Sequence, residues 1–120
     1  MNLQVSGVEH NQRIAGQYEM VEAIRAYIAH ILADYDQYDP NPVPSNRMSY
    51  VAEAGSKYIK VIRVYSDNIR SVHSFVAMQD GGKFKAGDIL KAAGWKAPAL
   101  NFARGNVLSG DFKGIRWMGA

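Results

Sequence analysis

The chain has 120 residues, of which 48% are hydrophobic and 21% are charged, and it contains no cysteine. This length and balance are typical of one globular domain and exclude a chain that is disordered throughout. The lack of cysteine excludes a disulfide framework, a thiolate zinc site and a cysteine nucleophile. No stretch reaches the roughly 20 apolar residues of a membrane span, and residues 1–10 lack the pattern of a signal peptide, so we expect no membrane and an intracellular setting.

Charge is distributed unevenly along the chain. Residues 1–60 contain five lysines and arginines against seven acidic residues, whereas residues 61–120 contain nine against four. Such an asymmetry is typical of a face that binds a polyanion. A solvated, lysine-rich surface would give the same counts, so both interpretations stay open.

Apolar residues at helical spacing predict one long helix near the N-terminus. The stripe consists of Ile14, Tyr18, Val21, Ile24, Ile28, Ile31 and Tyr35. Asn11 is a candidate N-cap, because its side-chain oxygen can accept an unpaired backbone N–H of the first turn. The prolines that begin at Pro40 predict a linker over residues 36–46. Residues 1–11 are expected to form a flexible N-terminus.

Strand patterns follow the linker. Residues 47–52 predict a weak strand, residues 58–65 the strongest one, and residues 70–78 a third, because β-branched and aromatic residues are concentrated there. Apolar side chains on both faces of 58–65 indicate a central position in the sheet. Glycines bracket residues 88–93 closely, which favours a fourth strand over a short helix. The aromatic tail at 112–118 is expected to form a last edge strand.

The remaining segment predicts a second helix. Pro98 suits the first helical position and Gly105 suits a left-handed C-terminal cap, so residues 98–104 are expected to be helical. The predicted fold is therefore a single α+β domain over residues 1–120. One long N-terminal helix would pack on an antiparallel sheet of three to five strands, with a short C-terminal helix added.

Part of the C-terminal half has a recognisable pattern. It consists of residues 58–60, 71–76, 87–99 and 103–106, and its most specific part is Trp-Lys-Ala-Pro at 95–98. Over about residues 57–107 this pattern resembles that of a group of small hypothetical proteins encoded by tailed bacteriophages. The connection at 80–86 is longer here than in that group. The resemblance implies a viral setting and no particular activity.

The most promising candidate site is an anion site around this specific segment. If Pro98 begins a helix, the next two backbone N–H groups are free to bind an anion beside Lys96. Trp95 offers a flat surface for a base, and Arg104 can pair with phosphate. The predicted ligand-binding or anion-binding set is Lys91, Trp95, Lys96, Asn101, Arg104, Asn106 and Arg116. The alternative is structural, with Trp95 in the core and Pro98 as a helix start only.

A broader basic series is a second candidate. It comprises Lys83, Lys85, Lys91, Lys96, Lys113 and Arg116, interleaved with Phe84, Trp95 and Trp117. Alternating cations and aromatic rings are what single-stranded nucleic acid binding requires. The spacing does not force these residues onto one face, and a solvated surface is the alternative.

The sequence gives little support for catalysis or for a metal or other cofactor. His73, Ser74 and Asp88 are the residue types of a hydrolytic triad, but strand alternation places Ser74 on the opposite face from His73, and no nucleophile elbow is present. The acidic run at 34–39 lacks the central glycine and terminal glutamate of a calcium loop. The histidines are widely separated in sequence. We therefore expect neither an enzyme nor a bound cofactor.

Tyrosines are a candidate for protein contacts, because a tyrosine buries an apolar ring and keeps a polar tip. The seven tyrosines are Tyr18, Tyr27, Tyr35, Tyr38, Tyr50, Tyr58 and Tyr65. Tyr27 lies off the helical stripe and is expected to be exposed. Tyrosines at the edge of the core are the alternative interpretation.

The function expected from the sequence is that of a non-enzymatic phage accessory protein. It would contact a nucleic acid or a nucleotide through its basic C-terminal half. The alternative is a protein–protein module that inhibits a host or defence protein or forms a minor virion component. A host or phage protein and a second copy of the chain are further candidate partners. The expected location is the host cell cytoplasm or the virion.

Overall fold

The computed structural model describes residues 5–6, 16–41, 48–65 and 68–120. Within them the chain forms one helix and one six-stranded sheet of order β1-β2-β3-β4-β5-β6, so the predicted α+β class is confirmed. The elements are β1 Val5–Ser6, α1 Gly16–Tyr38, β2 Met48–Ala54, β3 Tyr58–Tyr65, β4 Arg70–Ala77, β5 Asp88–Leu90 and β6 Gly105–Asn106. No helix among these residues is both long and apolar enough to cross a membrane.

The sheet is antiparallel from β2 to β6, and β1 pairs in parallel with β2. The strand β3 lies between β2 and β4, as its apolar pattern predicts. Ile59 and Val61 point to one face and Ile62 to the other, and all three are fully buried. Burial on both faces explains why this strand gives the strongest sequence signal.

The helix packs on one face of the sheet with a stripe that differs from the predicted one. Its buried side chains are Met20, Ile24, Tyr27, Ile28, Ile31 and Tyr35. Tyr18, predicted to lie in the stripe, is 72% exposed, and Tyr27, predicted to be exposed, is fully buried. The prediction for Tyr27 was wrong because its hydroxyl finds a buried partner, Ser74 Oγ at 2.7 Å. That hydrogen bond allows the polar end of the ring to leave water.

The ends of the helix also differ from the prediction. The helix follows β1 instead of opening the fold, and it continues to Tyr38, so the first residues of the predicted linker are helical. Asn11 and residues 42–46 lie outside the described residues. Of the predicted flexible N-terminus, Val5–Ser6 pairs with β2, and the rest also lies outside them.

The predicted second helix at 98–104 is absent. This segment instead runs beside β5, where Pro98 bridges to Ala92 and the backbone N–H of Ala99 donates to the carbonyl oxygen of Lys91 at 2.8 Å. Further on, the N–H of Arg104 donates to Ile89 at 2.7 Å. Backbone groups that a helix would pair internally are therefore paired across the sheet edge.

The tail at 112–118 does not form the predicted edge strand. Its backbone is bound by side chains of other elements, and it lies on the helix side of the sheet. His30 Nε2 bonds to the carbonyl oxygen of Ile115 at 2.8 Å, and Asp34 accepts the N–H of Trp117 at 2.9 Å. Side-chain partners satisfy this segment where strand neighbours were expected.

The two faces of the sheet are therefore covered differently. The helix and the tail cover the face that holds Ile59 and Val61. On the opposite face Lys60, Phe75 and Leu90 are neighbours across three strands, as the register shows. No described helix covers this second face, and the candidate site lies there.

Candidate functional site

A groove of about 370 Å³ opens on the sheet face opposite the helix. Its walls are the β2–β3 hairpin and the loop that follows β5. Lys57, Lys60 and Lys96 line it, with Tyr58, Phe75 and Glu53 among the other lining residues. Two lysines of the β2–β3 hairpin and one from the loop after β5 thus share one concave surface.

Local structure explains how each lysine reaches the groove. Lys60 lies on β3 between Ile59 and Val61, so alternation turns it to the opposite face when those two enter the core. Lys57 lies in the hairpin turn, which a hydrogen bond from Gly55 N–H to the Tyr58 carbonyl closes at 2.8 Å. Lys96 belongs to the loop after β5.

That loop presents Trp95 to solvent. The N–H groups of Ala93 and Gly94 both donate to the Ala97 carbonyl, at 3.0 and 3.2 Å, so the loop folds back on itself around Trp95. The indole is 45% exposed, which excludes the interpretation of Trp95 as a core residue. Lys60 Nζ lies 4.4 Å from the ring centroid and Arg70 Cζ lies 6.0 Å from it.

The acidic residue of the groove, Glu53, has its own cationic partner. Its carboxylate accepts a hydrogen bond from Arg70 at 3.0 Å and lies opposite Lys60 in the strand register. An exposed pair of this kind adds little stability. It does neutralise the carboxylate, so the groove keeps a positive charge from its lysines.

A second depression of about 440 Å³ adjoins the groove, and Lys57 and Tyr58 line both. It adds Lys83, Phe84 and Leu100. Lys83 Nζ lies 5.5 Å from the Phe84 ring centroid and donates a hydrogen bond to a backbone carbonyl of the neighbouring loop. We call the two depressions, together with the Trp95 ring beside Lys60, the basic face. It is defined by Lys57, Tyr58, Lys60, Lys83, Phe84, Trp95 and Lys96.

The predicted site residues divide between this face and other places. Trp95 and Lys96 belong to the basic face, and the backbone carbonyl of Asn101 accepts the bond from Lys83 at its margin. Lys91 is exposed at the end of β5, outside the lining of the groove. Arg104 stacks on the Phe102 ring at 4.1 Å, and its buried Nε has no hydrogen-bond partner among the described residues.

Asn106 and Arg116 lie apart from the basic face. Asn106 donates to the carbonyl of Ala86 and to Asp88, each at 3.0 Å, so its amide holds a turn beside β5. Arg116 lies in the tail and donates to both carboxylate oxygens of Asp34, at 3.0 and 3.1 Å. The free helix N-terminus predicted at Pro98 does not exist, because that segment is extended.

Sequence reasoning missed Lys57, Lys60 and Arg70. Strand alternation was the available signal for Lys60, since both its neighbours are β-branched. Nothing local indicates that the loop bearing Trp95 folds over the same face, because that depends on the pairing of β5 with β4.

Comparison with known proteins gives one match. Residues 8–116 match the model of a family described as Family of unknown function (DUF7717). The chain belongs to this family. No curated protein and no solved structure matches the chain. The expectation of an uncharacterised family is confirmed, and any functional inference must come from the geometry.

A buried hydrogen-bond network on the helix side changes the interpretation of His73. The register between β3 and β4 shifts after Val61, which pairs with Ser74, whereas Ile62 pairs with Val72. His73 is the extra residue of this bulge. It therefore lies on the same side as Ser74, and the predicted opposite placement was wrong, because a bulge breaks strict alternation.

The directions of the hydrogen bonds in this network follow from one carbonyl. His73 Nε2 lies 2.8 Å from the Arg116 carbonyl oxygen, which only accepts, so Nε2 carries the proton. In the neutral ring Nδ1 is then an acceptor, and Ser74 Oγ donates to it at 2.8 Å. Tyr27 in turn donates to Ser74 Oγ at 2.7 Å.

This network stabilises the fold and is closed to solvent. Ser74 is fully buried, so no substrate reaches its hydroxyl, and Asp88 bonds to Asn106 instead of His73. Burial lowers the pKa of His73 to about 4, against the raising effect of its bond to the Arg116 carbonyl. Burial likewise raises the pKa of Tyr27. Both groups are neutral near pH 7.

The described residues contain no group of metal ligands, and few of their tyrosines are exposed. Across residues 5–6, 16–41, 48–65 and 68–120, no three His, Asp or Glu side chains group as metal ligands. Tyr18 and Tyr38 are exposed on α1, at 72% and 71%, whereas Tyr35 and Tyr50 are buried. The tyrosines available for contacts are thus fewer than the sequence suggests.

Proposed function

We propose that the protein is a non-enzymatic phage accessory protein that binds a nucleic acid or a nucleotide through the basic face. The main support is the convergence of Lys57, Lys60 and Lys96 on one groove beside the exposed Trp95. The phage setting is supported by the sequence pattern at 57–107. The protein would act in the host cell cytoplasm or in the virion.

The electrostatics of the groove give the proposal a measurable consequence. Each lysine that contacts a phosphate releases condensed counterions, with a slope of about −0.7 in log affinity against log salt for a single strand. Three such contacts give a slope of about −2. Raising salt from about 50 to 200 mM should then weaken binding about twentyfold.

The test is a fluorescence-anisotropy titration of a labelled oligonucleotide of about 12 nucleotides at several salt concentrations. Lys96→Ala should weaken binding and reduce the salt slope by about 0.7. Lys113→Ala is the matched control. This substitution also removes one positive charge, but Lys113 lines a depression on the helix side of the sheet. The proposal would be contradicted by an affinity that does not change with salt concentration. It would also be contradicted if the two substitutions weakened binding equally.

A protein–protein module is the second candidate function. It is favoured by the exposed aromatic end of α1, where the Tyr38 ring lies 4.9 Å from Trp117. A host or phage protein, or a second copy of the chain, would contact this end. Support would be co-purification of a defined protein that Tyr38→Ala abolishes and Tyr18→Ala does not, with no nucleic acid retained. Light scattering of the purified chain measures self-association directly.

A further inference from the structure

Trp95 is a large apolar side chain that the fold leaves in water. Its neighbours Gly94, Lys96 and Ala97 are exposed as well, and a Cβ added to Gly94 would meet nothing within 4 Å. The space around the loop is therefore open. An exposed indole on a backbone-braced loop contributes little to the core and is typical of a contact surface.

Cationic residues from β3, from β4 and from the loop itself lie near this indole. Lys60 lies 4.4 Å and Arg70 lies 6.0 Å from the ring centroid, and Lys96 follows Trp95 directly. Attraction between a cation and the ring face orients the indole at the groove margin. Arg70 is paired with Glu53, whereas Lys60 and Lys96 line the adjacent groove, where they can meet the phosphates on either side of a base that contacts the ring.

The shape of the surface favours unpaired bases. Reading a duplex requires an element that enters a groove of the double helix, usually a helix or a two-stranded ribbon. Here the only described helix lies on the other face of the sheet, and Trp95 borders a concave surface. Bases in a duplex are stacked on one another, whereas an unpaired base has a free face for an aromatic ring.

We propose, on the basis of the function proposed above, that Trp95 is a stacking platform for an unpaired base. The basic face then binds single-stranded nucleic acid in preference to duplex. Stacking uses the face of a base and not the sugar, so both DNA and RNA strands are ligands. Lys60 and Lys96 bind the flanking phosphates, and Trp95 supplies the selectivity for strands over duplex.

The experiment compares labelled oligo(dT), oligo(U) and a duplex of the same length, about 12 nucleotides. Trp95→Ala should weaken binding of both single strands by about 5- to 150-fold, which corresponds to stacking worth about 1–3 kcal/mol. Trp95→Phe should recover most of the loss. The salt slope should stay unchanged in both variants, because no charge is removed.

A spectroscopic measurement separates stacking from a structural effect of the substitution. The chain has two tryptophans, so Trp117→Phe leaves Trp95 as the only tryptophan whose fluorescence is excited selectively over that of the tyrosines. Its fluorescence should be quenched when oligo(dT) saturates the protein. The unfolding midpoint of Trp95→Ala should match that of the wild type, since the ring is outside the core.

The outcomes distinguish this proposal from the broader one. Duplex bound as tightly as single strands, or unaltered affinity of Trp95→Ala at every salt concentration, overturns the stacking proposal. Salt-dependent binding that persists in that case leaves the nucleic acid function intact. No binding of any oligonucleotide at low salt overturns both.

Discussion

Acidification should destabilise the protein through one buried side chain. His73 is 2% exposed, donates from Nε2 to the Arg116 carbonyl and accepts at Nδ1 from Ser74. Protonation would put a second N–H on Nδ1, opposite a hydroxyl that now donates to it. It would also place a positive charge in the core near Arg63. Burial is the main cause that lowers the pKa of His73, and the charge of Arg63 lowers it further.

The sign and size of the effect follow from linkage. The pKa of His73 is about 4 in the folded state and about 6.5 in an unfolded chain, so below pH 6.5 the unfolded state binds a proton that the folded state does not. Stability is thus lost as the pH falls from about 6.5 towards 4. The loss is about 2 kcal/mol at pH 5 and approaches about 3 kcal/mol below pH 4.

The assay is urea unfolding of the wild type and of His73→Gln at pH 7 and pH 5. The wild type should lose about 2 kcal/mol of unfolding free energy on going to pH 5. His73→Gln should be less stable at pH 7 but lack that loss, whereas His30→Gln, which alters the other tail-binding histidine, should keep it. An identical decrease in wild type and His73→Gln would refute the reasoning.

Two further predictions concern tail anchoring and close packing, both measured by urea unfolding at pH 7. Asp34→Ala should lower the free energy of unfolding by about 1–3 kcal/mol, because the Arg116 guanidinium and the Trp117 N–H lose their acceptor. The control is Asp36→Ala on the exposed side of the same helix, which should change it by less than about 0.5 kcal/mol. Gly105→Ala would place a Cβ 2.2 Å from the carbonyl oxygen of Asp111 and should lower the free energy of unfolding by about 1–3 kcal/mol or more. The control is Gly94→Ala, whose Cβ meets nothing within 4 Å and should leave stability nearly unchanged. Equal effects within either pair would contradict the packing described.

The central part of the fold was predictable because its signals are local. Residues 58–65 combine β-branched side chains on both faces, and β3 has the predicted bounds. The helix was predictable from the periodicity of Ile24, Ile28 and Ile31, which are all fully buried. The choice between Tyr18 and Tyr27 was not, because Tyr18 fits the predicted stripe, Tyr27 fits only the neighbouring stripe that is in fact buried, and the position of Ser74 on β4 favours the second.

The errors fall where non-local pairing decides the structure. Pro98 and Gly105 are good helix boundaries in isolation, but β5 offers the intervening residues backbone partners at its edge. The bulge at His73 is equally invisible in a single strand, because it is defined by the register of β4 against β3. The candidate site was half predictable for the same reason: Trp95 and Lys96 are adjacent in sequence, and Lys60 joins them only through the sheet.

The two faces of the sheet use their polar side chains for different purposes. On the helix side, Tyr50 and Arg63 donate to the Trp117 carbonyl at 2.9 and 3.2 Å, and the carboxylate of Asp34 neutralises the tail's guanidinium. Those side chains stabilise the fold through these contacts. On the basic face, the side-chain ammonium groups of Lys57 and Lys96 make no hydrogen bond or ion pair with any described residue, although both side chains line a concave surface. Like charges that gather in this way repel one another and add nothing to folding, and this cost is the physical reason for proposing an anionic ligand at the groove.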